Sequence, residues 1–170
     1  MFWAKRQPKE RFERWVHEHQ TMVFSIALRI TREAATAEDV AQEVFMKLYL
    51  NATITDDAHA TAWLRRTTVH RSIDVVRRIR LRSEEKLDHD PQAKLAGCDP
   101  IFANTRDRLM ACLSPEARSV LVLRYQEDLD PADIALLLSM PITTVKSYLK
   151  RSLAFFRSQL ERESQEVHHG

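Results

Sequence analysis

Glycine is almost missing from this chain, since only Gly97 and Gly170 occur among its 170 residues. Loops that cradle phosphates need glycine, because a side chain would keep the backbone amides away from the phosphate oxygens. The sequence contains no glycine-rich loop of this kind. This scarcity argues against a nucleotide-binding enzyme.

Cysteines and long apolar runs are also scarce. Cys98 and Cys112 are too few and too far apart for a disulfide framework, and they fit a reducing cytoplasm. No apolar run follows the first lysine and arginine, so the sequence predicts no signal peptide. No apolar run is long enough to span a bilayer. We therefore expect a cytoplasmic protein without stable membrane insertion.

Long alternating strand patterns are absent, whereas helical periodicity extends along the chain, so the predicted class is all-α. The formal net charge is only +2, and any nucleic-acid binding must therefore come from local basic patches. The composition predicts two small helical domains joined by a flexible linker that is rich in acids and breaker residues. The predicted parts are residues 8–82, the linker 83–104 and residues 105–162.

Residues 130–151 have the pattern of helix, tight turn, helix. Asp130 suits an N-cap and Pro131 suits the first helical position. Pro141 cannot continue the first helix, so the pattern predicts a turn at residues 139–141. The apolar stripe predicted for the second helix consists of Val145, Leu149, Leu153, Phe156 and Leu160.

The start of that second helix mixes short hydroxyls with cations. The candidate DNA-binding residues there are Thr143, Thr144, Lys146, Ser147, Lys150 and Arg151. In a DNA major groove, cations hold phosphates and hydroxyls contact base edges. The alternative is an ordinary helical hairpin whose polar face is only solvated.

An acidic helix is predicted to begin at residues 36–39 with a hydroxyl cap. Val40, Val44 and Leu48 recur every four residues and predict a buried stripe. The opposite face carries Asp39, Gln42, Glu43 and Lys47. Such a face is usually solvated, but it can also dock a basic partner helix.

Residues 65–82 hold seven arginines and a single acid, Asp74, whose expected role is to orient the neighbouring arginines. An amphipathic helix with this composition is a plausible phosphate-binding surface. Trp63 is predicted to open the helix after the polar loop 53–59. An aromatic face there can stack on a base taken out of a duplex, and the alternative role for Trp63 is core packing.

The order of these motifs resembles a known family. The resemblance rests on five segments: residues 37–45, Ala62-Trp63-Leu64, residues 73–78, residues 113–125 and residues 141–147. Together they resemble the extracytoplasmic-function (ECF) group of bacterial RNA polymerase sigma factors. The resemblance extends over about residues 10 to 160. It implies a subunit that binds core polymerase and directs it to particular promoters, without catalysis, cofactor or metal of its own.

The resemblance implies a role for each candidate surface. Asp39, Gln42 and Glu43 would bind the clamp helices of the polymerase largest subunit, and the flap is a second polymerase contact. The loop before Trp63 and the arginine-rich helix would capture and melt the −10 element. The −10 candidates are Trp63, Arg66, His70, Arg71, Arg77 and Arg78. The helix-turn-helix would bind the −35 element, the linker would thread toward the active site, and an anti-sigma factor is a further implied partner.

Several positions depart from the family pattern. His70 stands where asparagine is usual, Ser139 replaces a common glycine, and Ile142-Thr143 replaces a common Glu-Gly pair. Tyr148, Leu153 and Phe155 stand where basic residues are typical, which predicts fewer phosphate contacts at the −35 element. For Tyr148 and Phe155 two roles stay open at this point, a surface for a partner protein or packing in the core.

Two other classes of function fit parts of the pattern. One is a stand-alone helix-turn-helix regulator whose N-terminal domain senses a signal or dimerises; it would bind a palindromic site without polymerase. The other is a helical interaction module in which both basic helices are merely solvated; it would show no salt-dependent DNA binding.

Overall fold

The computed structural model describes residues 6–86 and 105–168, and it confirms the all-α class. Within those ranges the chain forms seven helices and no strand. They are α1 (Lys9–Thr31), α2 (Ala34–Tyr49), α3 (Asp57–Lys86), α4 (Thr105–Ala111), α5 (Pro115–Tyr125), α6 (Pro131–Leu138) and α7 (Ile142–His168). The chain divides into two compact units at Arg80.

The first unit is built on the packing of α1 against α2, with the start of α3 completing the core. The predicted stripe of Val40, Val44 and Leu48 is confirmed, because all three side chains are buried. The same core contains Trp15, Val23 and Ala27 of α1, Ala37 of α2, Ile54 of the following loop, and Ala60 and Leu64 of α3. Full burial stabilises each large aliphatic side chain by roughly 1.5–3 kcal/mol.

Helix α2 begins two residues before the predicted start at Thr36. Its N-cap is Glu33, whose extended backbone lets the carboxylate accept from the amides of Ala35, at 2.9 Å, and Thr36. Arg32 precedes it in the left-handed region at φ 65° and ends α1. The hydroxyl-cap prediction was therefore wrong, because the carboxylate of Glu33, three residues upstream of Thr36, caps the helix at an earlier position.

Helix α3 begins at Asp57, earlier than the predicted start at Trp63. The Asp56 carboxylate accepts from the His59 amide at 2.8 Å, so residues 57–59 are helical rather than part of the loop. At the other end α3 extends to Lys86. Residues 83–86, predicted as the start of the linker, are thus helical, and the rest of the predicted linker lies outside the described residues.

The second unit contains the predicted helix-turn-helix. The Asp130 carboxylate accepts from the amides of Ala132, at 2.8 Å, and Asp133, at 3.0 Å, and caps α6. Ser139 ends α6 in the left-handed region at φ 54°, and α7 starts directly after Pro141. The predicted capping and turn are confirmed, and α5 packs against both helices.

The buried face of α7 differs from the predicted stripe. Leu153 and Leu160 are 42% and 47% exposed, whereas Ser152 is only 3% exposed. Leu149 and Phe156 of the predicted stripe are confirmed on the inner face, where they pack with Tyr148 and Phe155 against a cluster formed by Leu113, Ala117 and Leu121. The inner face recurs at positions 145, 148/149, 152 and 155/156 in step with the helical period, but the polar Ser152 interrupts its apolar pattern. Tyr148 and Phe155 are half-buried, which supports the core-packing role among the two that the sequence left open.

The expectation for the two cysteines depends on Cys98, which lies outside the described residues. None of the helices in residues 6–86 and 105–168 combines the length and hydropathy needed to cross a membrane.

Candidate polymerase and nucleic-acid interfaces

The acidic face of α2 is exposed. Asp39, Gln42 and Glu43 all lie on the side of the helix that faces away from the core residues Val40 and Val44. A helix with buried residues every fourth position leaves such a face available to solvent or to a partner. The structure thus brings together, on one helix, the three residues predicted to contact polymerase.

Glu43, however, is paired with a residue predicted for a different site. Its carboxylate accepts two hydrogen bonds from the Arg71 guanidinium, Nε to Oε2 at 2.5 Å and the terminal nitrogen to Oε1 at 2.8 Å. The Arg71 hydrogen bond lowers the pKa of Glu43, and the Glu43 hydrogen bond raises the pKa of Arg71. The pair joins α2 to α3 and links the acidic face to the arginine-rich helix.

We expect the Glu43–Arg71 pair to contribute stability that depends on pH. Because folding lowers the pKa of Glu43 below 4.5, its contribution is present above the unfolded pKa and is lost as pH falls through the folded pKa. The Glu43 side chain is 45% exposed, so solvent screening limits the coupling to about 0.3–1 kcal/mol. Denaturant unfolding of Glu43→Gln, Arg71→Gln and the double variant at neutral pH measures that coupling.

The exposed Glu38→Gln provides the matched control, since it removes one carboxylate from the same helix. The control should keep the wild-type pH dependence, whereas Glu43→Gln should flatten it in the acidic range. Additive losses in the double-variant cycle would contradict a coupled pair.

A groove lies along one face of α3. Its volume is about 300 Å³, and its lining consists of Lys47, Trp63, Arg66, Thr67, His70, Arg71 and Asp74. The α3 members are spaced by three and four residues, which places them on one face of the helix. Four of the six −10 candidates are therefore gathered here. Arg77 and Arg78 are exposed farther along α3 and do not line the groove.

Trp63 takes the core-packing role that the sequence allowed, and base stacking in the groove stays a prediction. It is half-buried, packs against the core of the first unit and also lines the groove. Packing on one side holds an aromatic ring in place while another part of it faces the groove. A ring held in this way can stack on a base without first losing side-chain freedom.

Two residues of the groove were missed by the sequence analysis. Lys47 reaches it from α2, one turn after Glu43, and Thr67 lies between Trp63 and Arg71 on α3. Once Glu43 is known to face α3, the four-residue spacing places Lys47 on the same side. Asp74 also lines the groove, and its charge contributes to the raised pKa of Arg71 after the larger effect of Glu43.

The first turns of α7 carry the −35 candidates. Thr143, Lys146, Ser147, Lys150 and Arg151 are exposed, and Thr144 is half-buried beside the fully buried Val145. The N-terminus of a helix also carries partial positive charge that favours phosphate oxygens. The structure thus presents three cations and two exposed hydroxyls on the second helix of a helix-turn-helix.

Comparison with known proteins matches both units. The family Sigma-70 region 2 matches residues 15–82, and the family Sigma-70, region 4 matches residues 107–156. The RNA polymerase sigma-E factors of Streptomyces avermitilis and Streptomyces coelicolor are each 31% identical, over 88% of this chain and 85% of theirs. The ECF RNA polymerase sigma factor SigW of Bacillus subtilis is 25% identical over 92% of both chains.

These matches cover the acidic helix, the groove and the helix-turn-helix in a single alignment of nearly the whole chain. A stand-alone regulator with an unrelated N-terminal domain is not favoured, because the first unit has its own match to a sigma region. The chain belongs to the ECF group of RNA polymerase sigma factors, which direct polymerase to promoters.

Proposed function

We propose that this sigma factor binds the clamp helices of the polymerase largest subunit through the acidic face of α2. Asp39 and Gln42 are exposed there, and Glu43 stands beside them with its carboxylate on Arg71. An exposed acidic and amide-bearing helix face complements a basic partner helix. In this proposal Asp39 and Gln42 make the direct contacts, and Glu43 adds charge while it holds α3 against α2.

The −10 element is proposed to bind at the groove of α3, together with the loop that precedes this helix. The observation that carries the proposal is the gathering of Trp63, Arg66, His70 and Arg71 around one groove with Lys47. Capture of an unpaired strand requires an aromatic face for bases and cations for the backbone. The groove supplies both, and Arg77 and Arg78 can extend the cationic surface along α3.

The −35 element is proposed to bind the exposed start of α7. Lys146 and Arg151 are assigned to phosphates, whereas Thr143, Thr144, Ser147 and Lys150 are candidates for base edges. Their place at the N-terminal end of the second helix of a helix-turn-helix supports this assignment.

The remaining partners are proposed from membership of the family. The family is a group of non-catalytic initiation factors, and we propose that this chain acts in the cytoplasm with no chemistry of its own. A contact with the polymerase flap and a linker path toward the active site are proposed from the family alone. An anti-sigma factor would cover the exposed acidic and basic faces.

The −35 assignment predicts different effects for two kinds of substitution on α7. Lys146→Ala should weaken binding to all promoters alike and reduce the salt slope by about one unit, because it removes one phosphate contact. Ser147→Ala and Lys150→Ala should change the preferred −35 sequence, with discrimination altered by roughly 1–3 kcal/mol at one base. Transcription by the reconstituted holoenzyme from a promoter library measures both effects.

Arg157→Ala is the matched control, since this residue is an exposed cation farther along the same helix. It should leave both the salt slope and the preferred −35 sequence unchanged. Wild-type promoter preference in all of the α7 variants would exclude this face as the −35 contact.

A further inference from the structure

Gln7 is a buried amide beside the loop of residues 50–56. Its side chain is 4% exposed, and its Nε2 donates to the backbone carbonyl of Ile54 at 2.9 Å and to that of Asn51. Its backbone amide donates to the carbonyl of Tyr49 at 2.8 Å. Gln7 lies two positions before α1 and therefore donates to three backbone carbonyls, one at the end of α2 and two in the following loop.

These bonds constrain the loop rather than a helix. Loop carbonyls have no helical partner, so a buried amide that supplies donors selects one backbone conformation. Within the loop Ile54 is fully buried, whereas Thr53 and Thr55 on either side of it are exposed. The inward Ile54 and the Gln7 donors together leave the two hydroxyl side chains on the outer surface.

The far end of the loop is fixed from α1 as well. The indole Nε1 of the buried Trp15 donates to the Asp57 carboxylate at 2.7 Å, and Arg14 donates to the same oxygen at 2.9 Å. The Trp15 hydrogen bond, aided by the charge of Arg14, lowers the pKa of Asp57. The loop between α2 and α3 is thus attached at both ends to the N-terminal part of the first unit.

We propose that Gln7 is a positioning residue for −10 recognition. By bonding to the carbonyls of Asn51 and Ile54, it sets the loop conformation in which Thr53 and Thr55 face an unpaired base of the −10 element. The inference rests on the proposed role of this loop and the adjoining α3 in −10 capture. Gln7 acts through the loop and has no contact of its own with DNA.

Two substitutions of similar size distinguish the effect of the hydrogen-bond donors of Gln7 from the effect of its side-chain volume. Gln7→Met keeps an unbranched side chain but has no donor, and Gln7→Glu at neutral pH places a carboxylate against two carbonyl oxygens. The exposed Gln20→Met is the matched control on α1. Thr55→Ala and Trp63→Ala test the loop and the groove directly. All variants are assayed as full-length holoenzyme, below their measured melting temperatures.

The readouts are base preference across a −10 promoter library, base preference across a −35 library, and affinity for core polymerase. Gln7→Met should lower transcription from the preferred −10 sequence by roughly tenfold, the scale expected for two lost hydrogen bonds. Gln7→Glu should lower it further. Both should flatten −10 base preference while −35 preference and core affinity stay at the wild-type level, as they should in Gln20→Met.

Three results would overturn the inference, and they can be told apart. If Thr55→Ala and Trp63→Ala change −10 preference but Gln7→Met does not, the loop and groove keep their role and Gln7 has none in positioning. If the Gln7 variants reduce transcription from all promoters equally and retain −10 base preference, Gln7 only stabilises the fold. If Thr55→Ala and Trp63→Ala both keep wild-type −10 preference, the proposed −10 surface is itself wrong.

Discussion

Reversing the charge of the acidic helix should abolish assembly with core polymerase. In the double variant Asp39→Lys, Glu43→Lys, two exposed carboxylates of α2 become cations facing a basic partner helix. Juxtaposed like charges at an interface cost several kcal/mol, so affinity should fall by a factor on the order of 100 or more. Co-elution with core polymerase and a direct binding titration measure the loss.

The Glu43–Arg71 pair makes the choice of controls important. Glu43→Lys removes a charge from the polymerase face and also breaks the link to α3, whereas Asp39→Lys changes the face alone. Arg71→Gln breaks the same link without changing α2. The exposed Glu10→Lys makes the same charge change on α1.

We expect Asp39→Lys alone to cause most of the loss of binding, and Arg71→Gln and Glu10→Lys to keep near-wild-type core affinity. Circular dichroism should show unchanged helicity, since exposed substitutions usually alter stability by less than about 0.5 kcal/mol. Co-elution of the double variant with core polymerase at wild-type affinity would show that α2 is not the docking helix.

Replacing the buried Arg118 by methionine should destabilise the second unit. Its side chain is 3% exposed, and the guanidinium donates to the carbonyls of Met110 at 3.0 Å, Leu113 at 3.1 Å and Ala111 at 3.5 Å. These carbonyls lie at and just after the end of α4, where the last carbonyls of a helix have no amide donors within the helix. Methionine retains much of the volume but removes the guanidinium donors from the carbonyls of Ala111 and Leu113, and it leaves the Met110 carbonyl with only the Leu113 amide at 3.3 Å. The expected cost is roughly 3 kcal/mol.

The tryptophans provide an internal reference for this experiment. The chain has three tryptophans, all within its first 63 residues, and Trp15 and Trp63 pack in the core of the first unit. Tryptophan fluorescence therefore follows the first unit, while far-ultraviolet circular dichroism follows the helices of both. Arg118→Met should shift part of the dichroism transition to lower denaturant and leave the fluorescence transition unchanged.

Arg124→Met is the matched control on the same helix. The Arg124 side chain is 37% exposed, and its guanidinium donates to one carbonyl, that of Leu129 at 3.1 Å, and lies 4.0 Å from the exposed Asp128 carboxylate. Its loss should cost about 1 kcal/mol, the net value of one hydrogen bond. Equal destabilisation by the two substitutions, or none by Arg118→Met, would contradict a special role for the buried guanidinium.

Local signals in the sequence were sufficient to predict the helix-turn-helix and the buried stripe of α2. Asp130, Pro131 and Pro141 act on amides and torsions within a few residues, so the helix-turn-helix followed from them directly. The buried stripe of Val40, Val44 and Leu48 followed from helical periodicity in the same way. The starts of α2 and α3 did not follow from the sequence, because the carboxylates of Glu33 and Asp56 cap these helices upstream of the predicted first residues.

The family was also accessible from sequence, because the order of its motifs extends along the chain and is independent of their packing. Packing decided which residues distant in sequence come into contact. Glu43 and Arg71 are 28 positions apart, and Gln7 and Ile54 are 47 apart, so no local pattern joins them. Both pairs exist because α1, α2 and α3 share one core.

The buried face of α7 shows the same limit. An apolar pattern selected Leu153 and Leu160, whereas the helix buries Ser152 and packs Phe155. Periodicity predicts that a helix has an inner face, but the neighbouring helices decide which rotation buries the most apolar surface. The sequence by itself therefore determined the all-α class, the helix-turn-helix and the family. Only the tertiary structure decided which side chains meet, because those contacts depend on packing between distant segments.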